Sequence, residues 1–170
     1  MGILSGNPKN EPMHYGEVYS IWIAYSGCKA MVAEYQTLLN HAGDRDLQEL
    51  LKEAIEMSKS DSRELEGYLK EHGVYLPPAP AERPKADLED IPAGAKFYDQ
   101  EIGAKISLDI AAGLVACSQA MGMSIREDIG MMFERMHTKK AQLGLKALRL
   151  NKEKGWLIPP PLHLAVPEEE

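Results

Sequence analysis

The chain has 170 residues, 44% of them apolar and 26% charged, with a formal net charge of −7. Its length supports one domain with a real core, and its composition is globular rather than disordered. The negative charge excludes a general nucleic-acid binder, whose phosphate contacts need a basic face.

The start, Met1-Gly2-Ile3-Leu4-Ser5-Gly6, lacks the basic and apolar regions of a signal peptide. Gly6 stands where a myristoylation signal needs Ser or Thr. No run of about 18 apolar residues is seen, so no membrane span is expected, and residence in the cytoplasm is. Cys28 and Cys117 lie inside apolar helical patterns and read as reduced core residues.

The first predicted helix spans about 12–41. Asn10 is its expected cap, Pro12 suits its first turn, and Val18, Trp22, Tyr25, Val32, Gln36 and Leu39 form its stripe. The second spans about 44–72, with Leu47, Leu50, Leu51, Ala54, Ile55, Ser58, Ser62, Leu65 and Leu69 at helical spacing before Gly73. Residues 73–95 form a proline-rich break. Extended at roughly 3.1 Å per residue, this segment can run the length of a 29-residue helix, roughly 43 Å, and so serve as a crossover that leaves helices two and three parallel. The third helix is expected at about 96–122, with Ile102, Ile106, Ile110, Gly113, Cys117 and Ala120 on its stripe. The fourth is expected at about 125–154. Ser124-Ile125-Arg126-Glu127 is a candidate capping box, and Ile125, Ile129, Met132, Met136, Leu143, Ala147 and Leu150 follow.

The halves match. Gly73-Val74-Tyr75-Leu76-Pro77-Pro78 returns as Gly155-Trp156-Leu157-Ile158-Pro159-Pro160, and the same offset of 82 carries Leu47, Leu50, Leu51 and Ala54 onto Ile129, Met132, Phe133 and Met136. The expected architecture is all-α: a single domain over 1–170, built of duplicated hairpins (12–72 and 96–154) around the crossover 73–95, with a tail from 155 to 170.

The helix Glu17-Val18-Tyr19-Ser20-Ile21-Trp22, the helix containing Glu53-Ala54-Ile55-Glu56 with its Gly-x-x-x-Pro-Pro ending, and the closing Gly155-Trp156-Leu157-Ile158-Pro159-Pro160-Pro161 carry a resemblance. Over about residues 10–162 the chain resembles an uncharacterised ferritin-like family of endospore-forming bacteria, linked by name to the spore coat (coat-F type). The resemblance implies a ferritin-like four-helix bundle and a coat or sporulation role. It supplies no chemistry for any position.

A di-iron bundle needs inward glutamates and two Glu-x-x-His motifs at one height. Glu11-x-x-His14 and Glu134-x-x-His137 are present, but helices one and four should run parallel, which places the motifs roughly 15 Å apart along the bundle. At about 100° per residue Glu134 points away from the helix-four stripe, and Glu34 points away from that of helix one. The expectation is therefore no catalytic residues, no metal and no cofactor, with Glu134 and His137 as the alternative metal pair.

At mid-height, Lys29, Asp61 and Lys140 fall on stripes, with Asp109 beside one and Tyr25 adjacent. They read either as a polar cluster that fixes helix register or as side chains that snorkel to water. The cluster Met121, Met123, Met131, Met132 and Met136 reads as core, or alternatively as the lining of a ligand gap. Ser20, Ala24, Gly27 and Met31 line one flank of helix one and read either as core packing or as a surface that lets a partner helix approach closely. Trp22 and Trp156 read as core and tail anchors, His41, His72 and His163 as surface residues, and Glu168-Glu169-Glu170 as a solvated tail.

Function at this level is that of a non-enzymatic structural or interaction protein of the spore coat type. The alternatives are a ferritin-like metal oxidoreductase and a small-molecule binder with a Met-lined interhelical pocket. Expected partners are a second copy of the chain and other spore coat proteins, with neither nucleic acid nor membrane.

Overall fold

The alternation of apolar and charged residues is sharpest in the second and fourth segments, and there the helices form as the pattern dictates. A computed structural model describes residues 11–163. Its helices are α1 (Tyr15–His41), α2 (Arg45–Glu71), α3 (Asp99–Met123) and α4 (Glu127–Glu153), with no strand among the described residues. The predicted stripe of α2 is buried throughout, and that of α4 is buried from Ile129 to Leu150. Asp44 caps α2, its carboxylate accepting from the N–H groups of Asp46 at 2.9 Å and Leu47 at 3.1 Å.

The other two helices needed correction. α1 begins at Tyr15, not near Pro12, which lies outside the helix; Asn10, the expected cap, is outside the described residues, as is the Glu168–Glu170 tail. His14 is the cap: its Nδ1 accepts from Gly16 N–H at 3.0 Å, while its own N–H donates to Glu17. The buried face of α1 is Glu17, Ile21, Tyr25, Val32, Ala33, Tyr35 and Leu38. Val18, Trp22, Gln36 and Leu39 are only half-buried, so the predicted stripe was turned about one residue too far. The cause is physical: α1 is apolar almost all round from Val18 to Cys28, so its periodicity carries little phase.

α3 begins at Asp99 rather than 96. The same breadth of apolar surface makes α3 long and apolar enough to cross a membrane by length and composition, against the sequence-based expectation. Its Ile, Leu, Val, Ala, Cys and Met residues raise its hydropathy although Ser, Asp, Gly and Gln interrupt the apolar run. In the fold it is a bundle helix, burying Ile102, Ile106, Ile110, Cys117 and Ala120.

The capping box at Ser124 does not form. Ser124 ends α3, its hydroxyl donating to Ala120 O at 2.8 Å, and Ile125 is 52% exposed rather than in the core. The start of α4 is capped instead from α1. Glu17, 1% exposed, accepts the Ile125 and Arg126 N–H groups at 2.9 Å each and the His14 N–H at 3.1 Å. At the opposite end of the bundle Asp99 of α3 accepts the Gly43 and Asp44 N–H groups at 2.8 and 3.0 Å, ahead of α2. The offset of 82 carries Glu17 onto Asp99, Gly43 onto Ile125 and Asp44 onto Arg126. Each hairpin therefore caps the second helix of the other, which satisfies orphan helix N–H groups with a negative charge where the helix dipole favours one.

The duplication runs through the rest of the frame. Both ends of α4 lie 82 residues beyond those of α2. Gly73 and Gly155 take left-handed φ values of 68° and 71°, and Val74 and Trp156 donate back to Leu69 and Asn151 at 2.8 Å, closing both helices alike. Contacts fix the directions. The start of α1 meets the end of α3 (His14 Nε2 to Met123 O, 3.0 Å), and the start of α2 meets the end of α4 (Lys154 to Asp44, 2.7 Å). Helices α2 and α3 therefore run parallel, as the long crossover requires.

That crossover includes two 3-10 turns, Leu88–Asp90 and Ala93–Ala95, and is fastened along α1. Trp22 Nε1 donates to Tyr75 O at 3.2 Å. The Gln36 amide bonds Glu82 and the Arg83 N–H, and the Asn40 amide bonds Pro84 O and the Ala86 N–H. Trp22 and Gln36, expected in the core, thus hold the strap instead. His41 and His72, expected at the surface, are half-buried: His41 Nδ1 accepts the Phe97 N–H at 3.1 Å, and His72 bridges Tyr68 O and Arg126. His163 is exposed. Trp156 packs against the core and over Gly103.

Candidate functional site

Halfway along the bundle the interior turns polar. Asp61 is fully buried on α2, and its carboxylate accepts from Lys139 at 3.0 Å and Lys140 at 3.5 Å, both from α4. Lys139 is 43% exposed and Lys140 16%. Lys29 makes no ion pair among the described residues, because the true phase of α1 turns Cys28 rather than Lys29 toward this layer. Tyr25 is buried in the cluster around Ile21, Leu65 and Met132, and burial pushes its hydroxyl up, with the charge of Glu66 adding to the rise.

Asp109 belongs to a second polar group. It accepts both Lys105 bonds at 2.6 Å and the Tyr35 hydroxyl at 3.4 Å, while Lys105 also pairs with Glu34 at 2.8 Å. Burial first, and then Asp109, raise the Tyr35 hydroxyl. Glu34, expected to point outward, thus joins α1 to α3 along their seam. Lys139 and Arg126 are functional side chains of the frame that sequence reasoning passed over. Arg126, 2% exposed, forks onto both Asp128 oxygens at 3.0 and 2.7 Å and holds Asp128 below the usual carboxylate range.

Above the mid-bundle layer a groove of about 360 Å³ opens between α1 and α3. Ser20, Ala24, Gly27 and Met31 line its α1 wall. Cys28, Cys117, Ser58 and Lys140 also line it, as do Met123 and Met136 from the methionine cluster. Met132 and Met136 are core residues, whereas Met131 is 62% exposed. Burial is the main force raising both thiols, Cys28 to about 11, so neither is a ready nucleophile.

A ferritin-like bundle raises the question of metal at this height. Glu134 is exposed and accepts the Thr138 hydroxyl at 2.9 Å, and His137 is half-buried. His14 is spent on capping α1, and the carbonyl of Glu11 accepts from Arg126. No group of three or more His, Cys, Asp or Glu is placed to hold an ion among the described residues. One buried carboxylate facing two ammonium groups has the wrong charge for a di-cation centre, so the residues present do not fit one.

Comparison with known proteins agrees with this architecture. The sequence profile of a family described as protein of unknown function (DUF3231) matches residues 1–168. The uncharacterised protein YvdQ of Bacillus subtilis is 57% identical over 164 residues, 96% of each chain. The crystal structure of a Bacillus halodurans protein provisionally named a spore coat protein is similar at a TM-score of 0.92 and 53% identity, covering 94% of this chain and 100% of that one. A conserved hypothetical protein of Mycobacterium tuberculosis shares the fold alone, with a TM-score of 0.66 and 13% identity over 89% of this chain and 97% of that one. So does an Anabaena variabilis protein with DJ-1/ThiJ/PfpI-like and ferritin-like domains, at 0.66 and 16% over 95% of this chain and 43% of that one.

Proposed function

The chain belongs to the DUF3231 family, and from that premise we propose that it is a non-enzymatic structural protein of the spore coat that associates through the face formed by α1 and α3. The observation that carries the reading is the exposed apolar surface of that face. Tyr19, Ile23, Leu108 and Val115 are 62, 45, 68 and 67% exposed. α1 has no charged residue between Glu17 and Lys29, and α3 has none after Asp109. The opposite face, made by α2 and α4, is studded with Glu49, Lys52, Glu53 and Lys146.

Two helices of about 25 residues are roughly 37 Å long and together roughly 20 Å wide, a face of roughly 700 Å², of which the charge-free stretches 18–28 and 110–123 make an apolar centre of roughly 400 Å². A standard interface uses about 800 Å² per partner, while the largest apolar patch of a monomer is about 300–600 Å². A second copy suits this face, because the duplication relates α1 to α3 and an isologous interface is self-complementary. The interior supports a structural role: Asp61, Asp109 and Asn151 are engaged in tying helices together. The similarity to the Bacillus halodurans protein supports the coat as the place of assembly.

A fluorescent fusion made in sporulating Bacillus subtilis tests the reading. It should collect at the spore periphery, and a Leu108→Glu/Val115→Glu variant should not. Uniform fluorescence of the unmodified fusion through the cell would contradict it.

A further inference from the structure

The groove between α1 and α3 has a property that packing alone does not require. At about 360 Å³ it falls within the range of small-molecule sites, about 300–1,000 Å³. Its walls are small or apolar side chains, including Ile23, Ala24, Ala116 and Ala120. Lys140 lines it from α4. The lysine stem lies against Gly113, where an added Cβ would sit 3.0 Å from its Cδ and 3.2 Å from its Cε. A side chain at position 113 would displace the stem, so the glycine makes the lysine's path.

The ammonium at the end of that path is short of negative charge. Its ion-pair partner among the described residues is Asp61 at 3.5 Å, and Asp61 already has Lys139 at 3.0 Å. Two cations share one carboxylate, and the more buried of the two lines the groove. A desolvated cation with half an anion is costly, and an anionic group in the groove would offset that cost. The Ser58 hydroxyl, also lining the groove, adds a second donor. Asp109 lines the groove as well, but Lys105 and Tyr35 occupy its oxygens, so its negative charge is already offset and does not repel a headgroup held at Lys140.

We propose that this groove binds a single-chain amphiphilic carboxylate, its headgroup on Lys140 and its acyl chain lying between α1 and α3 toward Tyr19 and Met123. From Gly113 to Met123 the helix advances roughly 15 Å, which leaves room for a medium-length chain. The groove is lined by one chain alone, so binding does not require two copies; Tyr19 and Ile23 belong to both the groove and the proposed pairing face, so pairing would close over a bound ligand.

Titration of the full-length, delipidated protein with decanoate and with decanol, below their aggregation limits, tests it. Wild type should bind decanoate saturably, one per chain, and about tenfold or more tighter than decanol, the worth of a hydrogen bond to a charged group. Lys140→Met should bring decanoate down to the affinity of decanol and leave decanol unchanged. Absence of saturable binding, equal affinities in wild type, or an unchanged preference in Lys140→Met would overturn the proposal. A readout on wild type alone covers a variant that fails to fold: decanoate should raise the melting temperature of wild type and decanol at the same concentration should raise it less, and no rise with decanoate would count equally against the site. Sedimentation of the same samples reports pairing separately, so that failure of either idea is visible on its own.

Discussion

Replacing Glu17 by alanine removes the acceptor of three backbone N–H groups at once. Two of them, on Ile125 and Arg126, lie at a junction where Glu17 is 1% exposed and Arg126 2%. The third, on half-buried His14, can turn to water. Hydrogen bonds to a charged group contribute about 1.5–3 kcal/mol each, so the two at the junction make Glu17→Ala cost roughly 3–6 kcal/mol. That is a large part of a typical stability of about 5–15 kcal/mol. The matched Asp99→Ala removes two bonds, but Gly43 is exposed and water can replace the carboxylate. Its cost should stay near that of an ordinary cap, about 0.5–2 kcal/mol. Glu17→Gln, which keeps one acceptor oxygen, should fall between the two. Urea unfolding followed by circular dichroism, with equal slopes required across the variants, gives the three differences. Equal losses for Glu17→Ala and Asp99→Ala would refute the argument that burial sets the magnitude.

Asp61→Ala should cost about 3 kcal/mol, the low end for a broken buried pair, because Lys139 is 43% exposed and can turn to water, whereas Lys140 is only 16% exposed. Asp61→Leu combined with Lys140→Met should be milder in the same unfolding assay, and a double variant as damaging as Asp61→Ala would argue against an ionic origin. Gly103→Ala places a Cβ 2.3 Å from Asn151 Oδ1, so it should cost about 1–3 kcal/mol in thermal unfolding, while Gly27→Ala, where the added Cβ meets nothing within 4 Å, should not destabilise. Asp44 is held low by its bond to Lys154, and Asp128 by its bond to Arg126. Folded values below the unfolded ones mean stability that is present above the ordinary carboxylate range and lost as pH falls through the folded values. Melting temperature should therefore drop below about pH 4, less steeply in Asp128→Asn.

The sequence made α2 and α4 legible because polar and apolar residues alternate at one period, and the phase of Leu47 through Leu69 could only be read one way. In α1, Ile21 and Trp22 are equally apolar, and nothing local says which faces inward. That ambiguity placed Lys29 in the polar layer and kept Cys28 out of it. Lys139 was hidden because two adjacent lysines can reach one carboxylate from neighbouring angles, which stripe counting does not allow for. Glu17 was hidden because its partners are 108 and 109 residues away. The offset of 82 already pairs it with Asp99, and two carboxylates at matched positions beside helix starts are the signal that could have found both caps.

Self-association through the α1–α3 face is what gives the protein its proposed structural role. Sedimentation velocity of the full chain from low to high micromolar concentration tests that face directly. Wild type should sediment as a dimer, and Leu108→Glu/Val115→Glu as a monomer with its helical circular dichroism signal intact. A wild-type protein that sediments as a monomer at every concentration would contradict it.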